Sequence, residues 1–213
     1  MTMTAERNIP ADVTYGLSDA DQHYYEHTDA VTRHLPKQHR HAIHWIEIDG
    51  RKTLLVNNKL LTLIPNPTYD PVGQPGSLEM YFRAQNHDGK EIRDIIEMGP
   101  IPPAARDRDA RVKLLDEQKV DLAWVMPSLG LGLEEMMADN PEMLYAAFHS
   151  YNQWLDEDWG YNRDGRIITG PLMSLIDPDK ALAELNHVIG KGARIVTFRP
   201  APVHAPDRYR SLA

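Results

Sequence analysis

Short hydrophobic runs in the first half of the chain alternate with polar positions in the manner of β-strands. Strands are predicted at residues 17–21, 43–48, 52–57 and 60–64. Asp49-Gly50 is a hairpin-turn sequence, so the last three strands are predicted to pair locally as a small antiparallel unit. Residues 29–35 have the pattern of a short helix that Pro36 ends, and the stretch 66–76, rich in proline and glycine, predicts a loop.

The second half of the chain alternates continuous apolar runs with amphipathic segments. The apolar runs are typical of strands covered on both faces and lie at residues 121–126, 167–174 and 194–198. Helices are predicted at residues 107–118, 134–139, 141–158 and 177–189. Two of these helices begin with a capping side chain before a proline, Asn140-Pro141 and Asp177-Pro178. Together with the strand at 17–21, this alternation predicts an α/β fold with a parallel sheet.

Charge and composition exclude several classes of partner. The 213 residues carry a net charge of −8, which argues against nucleic acid and anionic membrane surfaces. No apolar run approaches the roughly 20 residues that cross a bilayer. The polar arm predicted at residues 1–14 lacks the apolar core of a secretory signal. We therefore expect a cytoplasmic protein. A nucleotide-binding domain is a weak alternative because Gly130-Leu-Gly132 lacks the third glycine and the lysine of phosphate-binding loops.

The sequence Asp21-Gln22-His23 ends the first predicted strand. Side chains alternate between the two faces of a strand, so Asp21 and His23 are expected to project together, and Asp19 shares their parity. The chain has no cysteine, so any metal site must use histidines and carboxylates. A carboxylate and an imidazole at a strand end suit a divalent cation such as Zn²⁺. The alternative is an ordinary surface turn in which Asp-x-His occurs by chance.

The stretch from Asp19 to Glu26, Asp-Ala-Asp-Gln-His-Tyr-Tyr-Glu, resembles the start of the amidohydrolase-related proteins that include aminocarboxymuconate semialdehyde decarboxylase. The resemblance continues in order at residues 115–127, 152–155, 177–185 and 190–196. It implies a metal-dependent (β/α)₈ barrel in which Asp21 and His23 ligate the metal, Zn²⁺ or Mn²⁺. It also implies hydrolysis or non-oxidative decarboxylation of a small organic, carboxylated substrate.

The chain departs from this family in its number of barrel strands. Only four are predicted, so residues 15–213 resemble the N-terminal half of a barrel, a partial TIM barrel with an insertion at about 24–104. The family's further ligands, a histidine on the fifth strand and an aspartate on the eighth, have no counterpart, and His204 lies in a proline-rich loop. We therefore expect a fragment, a homo-oligomer or a chain that associates with a second half.

Four other residues are candidates for roles at this site. Arg199, at the end of the fourth predicted strand, is placed to bind a substrate carboxylate, although a solvated arginine is an equal alternative. His44 of the inserted hairpin is a second candidate for substrate contact, with a surface histidine as its alternative. Glu26 and Asp19 are candidates for outer support of the metal ligands. The sequence assigns no general acid or base.

Overall fold

The computed structural model describes residues 15–85 and 89–202. The predicted arm at 1–14 and His204 lie outside these ranges. The strands are β1 (Ser18–His23), β2 (Ile43–Ile48), β3 (Arg51–Val56), β4 (Lys59–Leu60), β5 (Val72–Gly73), β6 (Met98–Gly99), β7 (Leu122–Met126), β8 (Ile167–Thr169), β9 (Leu172–Met173) and β10 (Thr197–Phe198). The α-helices are α1 (Glu79–Phe82), α2 (Ile92–Ile95), α3 (Arg108–Glu117), α4 (Leu133–Met137), α5 (Pro141–Asp158) and α6 (Pro178–Gly190).

The parallel strands form two sheets, one of three strands and one of two, which confirms the predicted α/β class. β7 lies between β1 and β8, and β9 pairs with β10, each pair parallel. The apolar run at 167–174, predicted as one strand, is divided into β8 and β9 at Gly170-Pro171, where proline cannot donate to a ladder. The predicted strand at 194–198 is reduced to the two residues of β10.

The two faces of the three-stranded sheet formed by β1, β7 and β8 differ in exposure. Side chains facing the helices are buried, as shown by the paired residues Ala123 and Ile167. Trp124 on the other face is 37% exposed. α5 covers the buried face with a stripe of apolar side chains that includes the fully buried Trp154. The apolar residues of both faces match the prediction, while the face that carries Trp124 is partly exposed.

The segment between β1 and α3 carries the predicted antiparallel unit. β2, β3 and β4 are adjacent in that order, and the turn between β2 and β3 places Asp49 and Gly50 at φ 51° and 73°, as a tight hairpin requires. The predicted strand at 60–64 is only Lys59–Leu60. The predicted loop at 66–76 contains β5, which pairs with β6. Residues 29–35 form turns instead of the predicted helix.

The helix boundaries follow from capping side chains. The Asp107 carboxylate accepts a hydrogen bond from Ala110 N–H at the start of α3, and the Asn140 amide oxygen accepts one from Met143 N–H at the start of α5. The Asp177 carboxylate accepts hydrogen bonds from the Asp179 and Lys180 N–H groups at the start of α6.

None of the helices in residues 15–85 and 89–202 is long and apolar enough to span a membrane.

His149 of α5 and Glu184 of α6 join these two helices through a 2.8 Å contact. The hydrogen bond to Glu184 raises the pKa of His149. Burial alone raises the pKa of Glu184, but hydrogen bonds from His149 and Asn152 outweigh it, so the net shift is downward. The charged His149 therefore contributes to the free energy of unfolding below its ordinary pKa, and this contribution is lost as the pH rises through the raised pKa. The charged Glu184 contributes to the free energy of unfolding above its ordinary pKa, and this contribution is lost as the pH falls through the lowered pKa.

We expect this pair to stabilise the fold most between about pH 5 and 6.5. Because His149 is 43% exposed, the contribution should stay below about 1 kcal/mol. The measurement is the free energy of unfolding of the native chain minus that of Glu184→Gln, which keeps an acceptor for Asn152, at pH 5.5 and pH 9. A difference that is the same at both pH values would show that the pair is not charged in the folded state.

Candidate functional site

The imidazole of His23 is held at the end of β1 by the loop that follows β7. Its Nδ1 lies 3.2 Å from the Pro127 carbonyl oxygen and 3.3 Å from the Ser128 hydroxyl. A proton on Nδ1 donated to the carbonyl leaves Nε2 as the ring atom with a lone pair. This arrangement, in which a backbone carbonyl fixes the tautomer, is typical of metal-binding histidines. His23 itself is exposed.

A register irregularity in β1 places the Asp19 side chain on a different face of the strand from the His23 side chain. Asp19 pairs with Ala123, whereas Gln22 pairs with Val125, so three steps on β1 oppose two on β7. Since Ala123 and Val125 share the helix-covered face, Asp19 and Gln22 share it too, and their side chains are hydrogen-bonded at 3.0 Å. The expectation that Asp19 shares the parity of His23 is wrong because the irregularity shifts the alternation.

Asp21 lies two residues before His23, in the irregular part of β1 between Asp19 and Gln22. It is exposed, and its backbone N–H donates to the Asp19 carboxylate. The His23 side chain lies on the face opposite Gln22, because these consecutive residues pair with Met126 and Val125, whereas Asp21 has no register partner on β7, so strand alternation does not assign it to the face of His23. Within the described residues, no group of three or more His, Cys, Asp or Glu side chains is arranged to hold a metal ion. Asp21 and His23 thus offer a suitable donor pair but not a complete ligand set.

Glu26 is a buried carboxylate, 2% exposed, that organises the loop after β7. One of its oxygens accepts hydrogen bonds from the backbone N–H groups of Ser128, Leu129 and Gly130 and from the Tyr151 hydroxyl, at 2.8–3.1 Å. Burial raises the pKa of Glu26, although these hydrogen bonds act in the opposite direction. Its support of His23 is indirect: it fixes the loop whose Ser128 hydroxyl and Pro127 carbonyl contact the ring.

Arg111 of α3 fastens the end of β1 from the other side. Its guanidinium donates to the His23 carbonyl at 2.8 Å, to the Gln22 side-chain oxygen at 2.8 Å and to the Ala104 carbonyl at 2.6 Å. The residue is buried and its cationic carbon lies 5.9 Å from the centre of the Trp159 ring. Burial lowers the pKa of Arg111. The Arg111 side chain therefore connects α3 to the end of β1 and holds the backbone of His23 in place.

The two predicted substrate contacts lie in different surroundings. Arg199 follows β10, and its guanidinium is paired with the Glu135 carboxylate of α4 at 2.5 Å. His44 is exposed on β2, opposite Leu55, in a sheet separate from the one that contains His23. His23 is thus joined through Pro127 and Ser128 to the loop that Glu26 supports, while His44 belongs to the inserted unit.

Sequence reasoning missed Arg111 and Tyr151. Arg111 and Leu115 are the buried residues of α3, and their separation of four residues places both on its core-facing side. An arginine at a core position of an amphipathic helix was the available signal. Tyr151 lies among the apolar residues of α5, where its hydroxyl could not be distinguished from ordinary aromatic packing.

The α/β fold with its parallel strands supports an amidohydrolase-like relationship, which rests on similarity to a solved structure. One solved structure that supports this class is an amidohydrolase from Mycobacterium avium subsp. paratuberculosis K-10, with a TM-score of 0.83 and 38% sequence identity. The match covers 90% of this chain and 51% of the mycobacterial chain, so the present chain spans about half the length of that protein. A scan against family models and a search of curated proteins found no match.

Proposed function

We propose that this chain forms part of the active site of a metal-dependent hydrolase or carboxy-lyase of the amidohydrolase-related type. The observation that carries the proposal is the orientation of His23 at the C-terminal end of β1, whose Nδ1 faces the Pro127 carbonyl and leaves Nε2 as the ring nitrogen with a lone pair. The sequential parallel order of β1, β7, β8–β9 and β10 fits the first four strands of a (β/α)₈ barrel. In such barrels, catalytic side chains come from the C-terminal ends of the strands, where His23 lies.

Asp21 and His23 would hold a divalent cation, Zn²⁺ or Mn²⁺, whose contribution is Lewis-acid catalysis. The residues of this chain supply the positioning. Pro127 and Ser128 keep the imidazole in the tautomer with the proton on Nδ1, and Arg111 holds the His23 backbone. The proposed substrate is a small organic molecule with a carboxylate, for which Arg199 and His44 are the proposed contacts.

The experiment is an activity assay on protein stripped of metal and restored with Zn²⁺ or Mn²⁺. The substrates are a panel of esters, lactones and amides, and release of labelled CO₂ from aromatic carboxylates separates decarboxylation from hydrolysis. Turnover is expected only after metal is restored and should fall at least about 100-fold in His23→Ala. Asp94→Ala, which removes an exposed carboxylate of α2, is the control. Metal-independent turnover, or turnover unchanged in His23→Ala, would contradict the proposal.

A second candidate function is a barrel part that acts by association with a second half-barrel or with another copy of the chain. The observation that favours it is the exposure of large apolar side chains, namely Trp124 of β7, Leu175 after β9 and Phe198 of β10. Sedimentation analysis of the purified chain distinguishes the two candidates. A metal-dependent active monomer supports the first, whereas a dimer that dissociates in Trp124→Lys supports the second.

A further inference from the structure

A cavity of about 670 Å³ lies in the inserted unit, and its walls do not include Asp21 or His23. One wall is the turn between β2 and β3, and another is the segment from Pro65 to Pro71. Met98 and Arg106 also contribute to the lining. The volume falls within the range of about 300–1,000 Å³ that is usual for small-molecule sites. The function proposed above makes no use of this space.

Arg106 is the part-buried cation of the cavity. Its guanidinium donates to the backbone carbonyl oxygens of Thr68 at 2.7 Å and Glu26 at 3.3 Å, while its buried Nε has no hydrogen-bond partner among the described residues. Burial lowers the pKa of Arg106, against the opposing effect of Asp70 and Glu26. Among the described residues, no carboxylate lies within 4 Å of the Arg106 guanidinium, which is held in place by carbonyl oxygens. It therefore retains a positive charge that an anion can neutralise.

Two further cations, Arg51 and Lys52, line the cavity from the start of β3. Both are exposed, and neither forms an ion pair within the described ranges. Two carboxylates oppose them: Asp70 lies in the cavity wall, and Glu47 is the cross-strand neighbour of Lys52. The lining thus contains three cationic side chains and one acidic one, in a chain whose net charge is −8. This local excess of positive charge favours an anionic ligand.

We propose that this cavity binds a small organic or inorganic anion through a carboxylate or phosphate group. Arg106 provides the fixed donor at one wall, and Arg51 and Lys52 provide mobile cations at the other. Thr28, Asn66 and Thr68 supply neutral polar groups within the same lining. The proposal is independent of the metal pair, so binding is expected to be unchanged in metal-free protein and in His23→Ala.

The test is calorimetric titration of metal-free protein with succinate, phthalate and phosphate at constant ionic strength, with succinamide as the uncharged comparison. Saturable one-to-one binding of at least one of the anions is expected. The dissociation constant of that anion should rise about tenfold in Arg51→Ser/Lys52→Ser, because two cations of the lining are lost. The fold should be retained in this variant because both substituted side chains are exposed. Asp70→Asn, which removes the opposing charge from the wall, should lower the dissociation constant about threefold.

Lys113→Ser/Arg194→Ser is the matched control, because it removes the same two charges from exposed positions elsewhere. It should leave the dissociation constant within about twofold of the native value. Failure of all three anions to bind would overturn the proposal. Equal loss in the cavity variant and the control, or binding of succinamide as tight as that of succinate, would overturn it as well.

Discussion

Replacing Glu26 by alanine should lower the free energy of unfolding by about 3–5 kcal/mol, the largest effect expected of a single substitution near the site. Three backbone N–H groups and the Tyr151 hydroxyl converge on one Glu26 oxygen, and alanine would leave all four donors without that acceptor. Leu129 and Gly130 are buried, so water cannot easily replace the carboxylate. The measurement is equilibrium unfolding by urea, with comparison of the midpoints and slopes.

Two further variants separate the acceptor from the charge. Glu26→Gln retains an oxygen for the four donors and should lose less than half as much stability as the alanine variant. Tyr151→Phe removes one of the four donors and also the partner of the buried Tyr24 hydroxyl, 2.9 Å away, so it should cost about 2 kcal/mol. Alanine and glutamine variants of equal stability would show that the charge matters more than the hydrogen bonds. A loss below about 1 kcal/mol in Glu26→Ala would contradict the role of this carboxylate in holding the loop.

The regular part of the fold could be predicted from the sequence because it depends on local signals. Hydrophobic periodicity and a capping asparagine before proline locate α5 at residues 141–158, as observed. The hairpin of β2 and β3 follows from alternation around Asp49-Gly50. The segment 29–35 has a helical pattern, yet it forms turns whose backbone is held by distant groups, such as the Ser150 hydroxyl that accepts from His34 N–H. Tertiary contacts of this kind override a local preference.

The site could be predicted only in part. The Asp-x-His spacing predicts Asp21 and His23 as a metal-binding pair because they are close in sequence, and that assignment stays a prediction. The irregularity that moves Asp19 to the other face depends on pairing between β1 and β7, which no local pattern reveals. The Arg111 contact with His23 joins residues 88 positions apart, and the Glu26 contact with Gly130 joins residues 104 apart. Contacts over such separations are products of the folded topology.

Removal of the His23 imidazole should weaken zinc binding by at least about 100-fold, because loss of even an outer-shell partner typically costs 10–100-fold. Asp21→Ala should weaken it to a similar degree, since the pair supplies all of the ligands that we assign in this chain. Six histidines lie between residues 23 and 44, so zinc bound elsewhere must be distinguished from the site. His41→Ala, which removes another exposed histidine of this stretch, is the control.

Competition titration of the metal-free chain with Zn²⁺ against a chromophoric chelator measures both the number of zinc sites and their affinity. We predict one site per chain in the native protein and in His41→Ala, and loss of that site in both Asp21→Ala and His23→Ala. A native chain that binds no stoichiometric zinc, or His23→Ala and Asp21→Ala variants that bind it as tightly as the native chain, would contradict the assignment of Asp21 and His23 as a metal-binding pair.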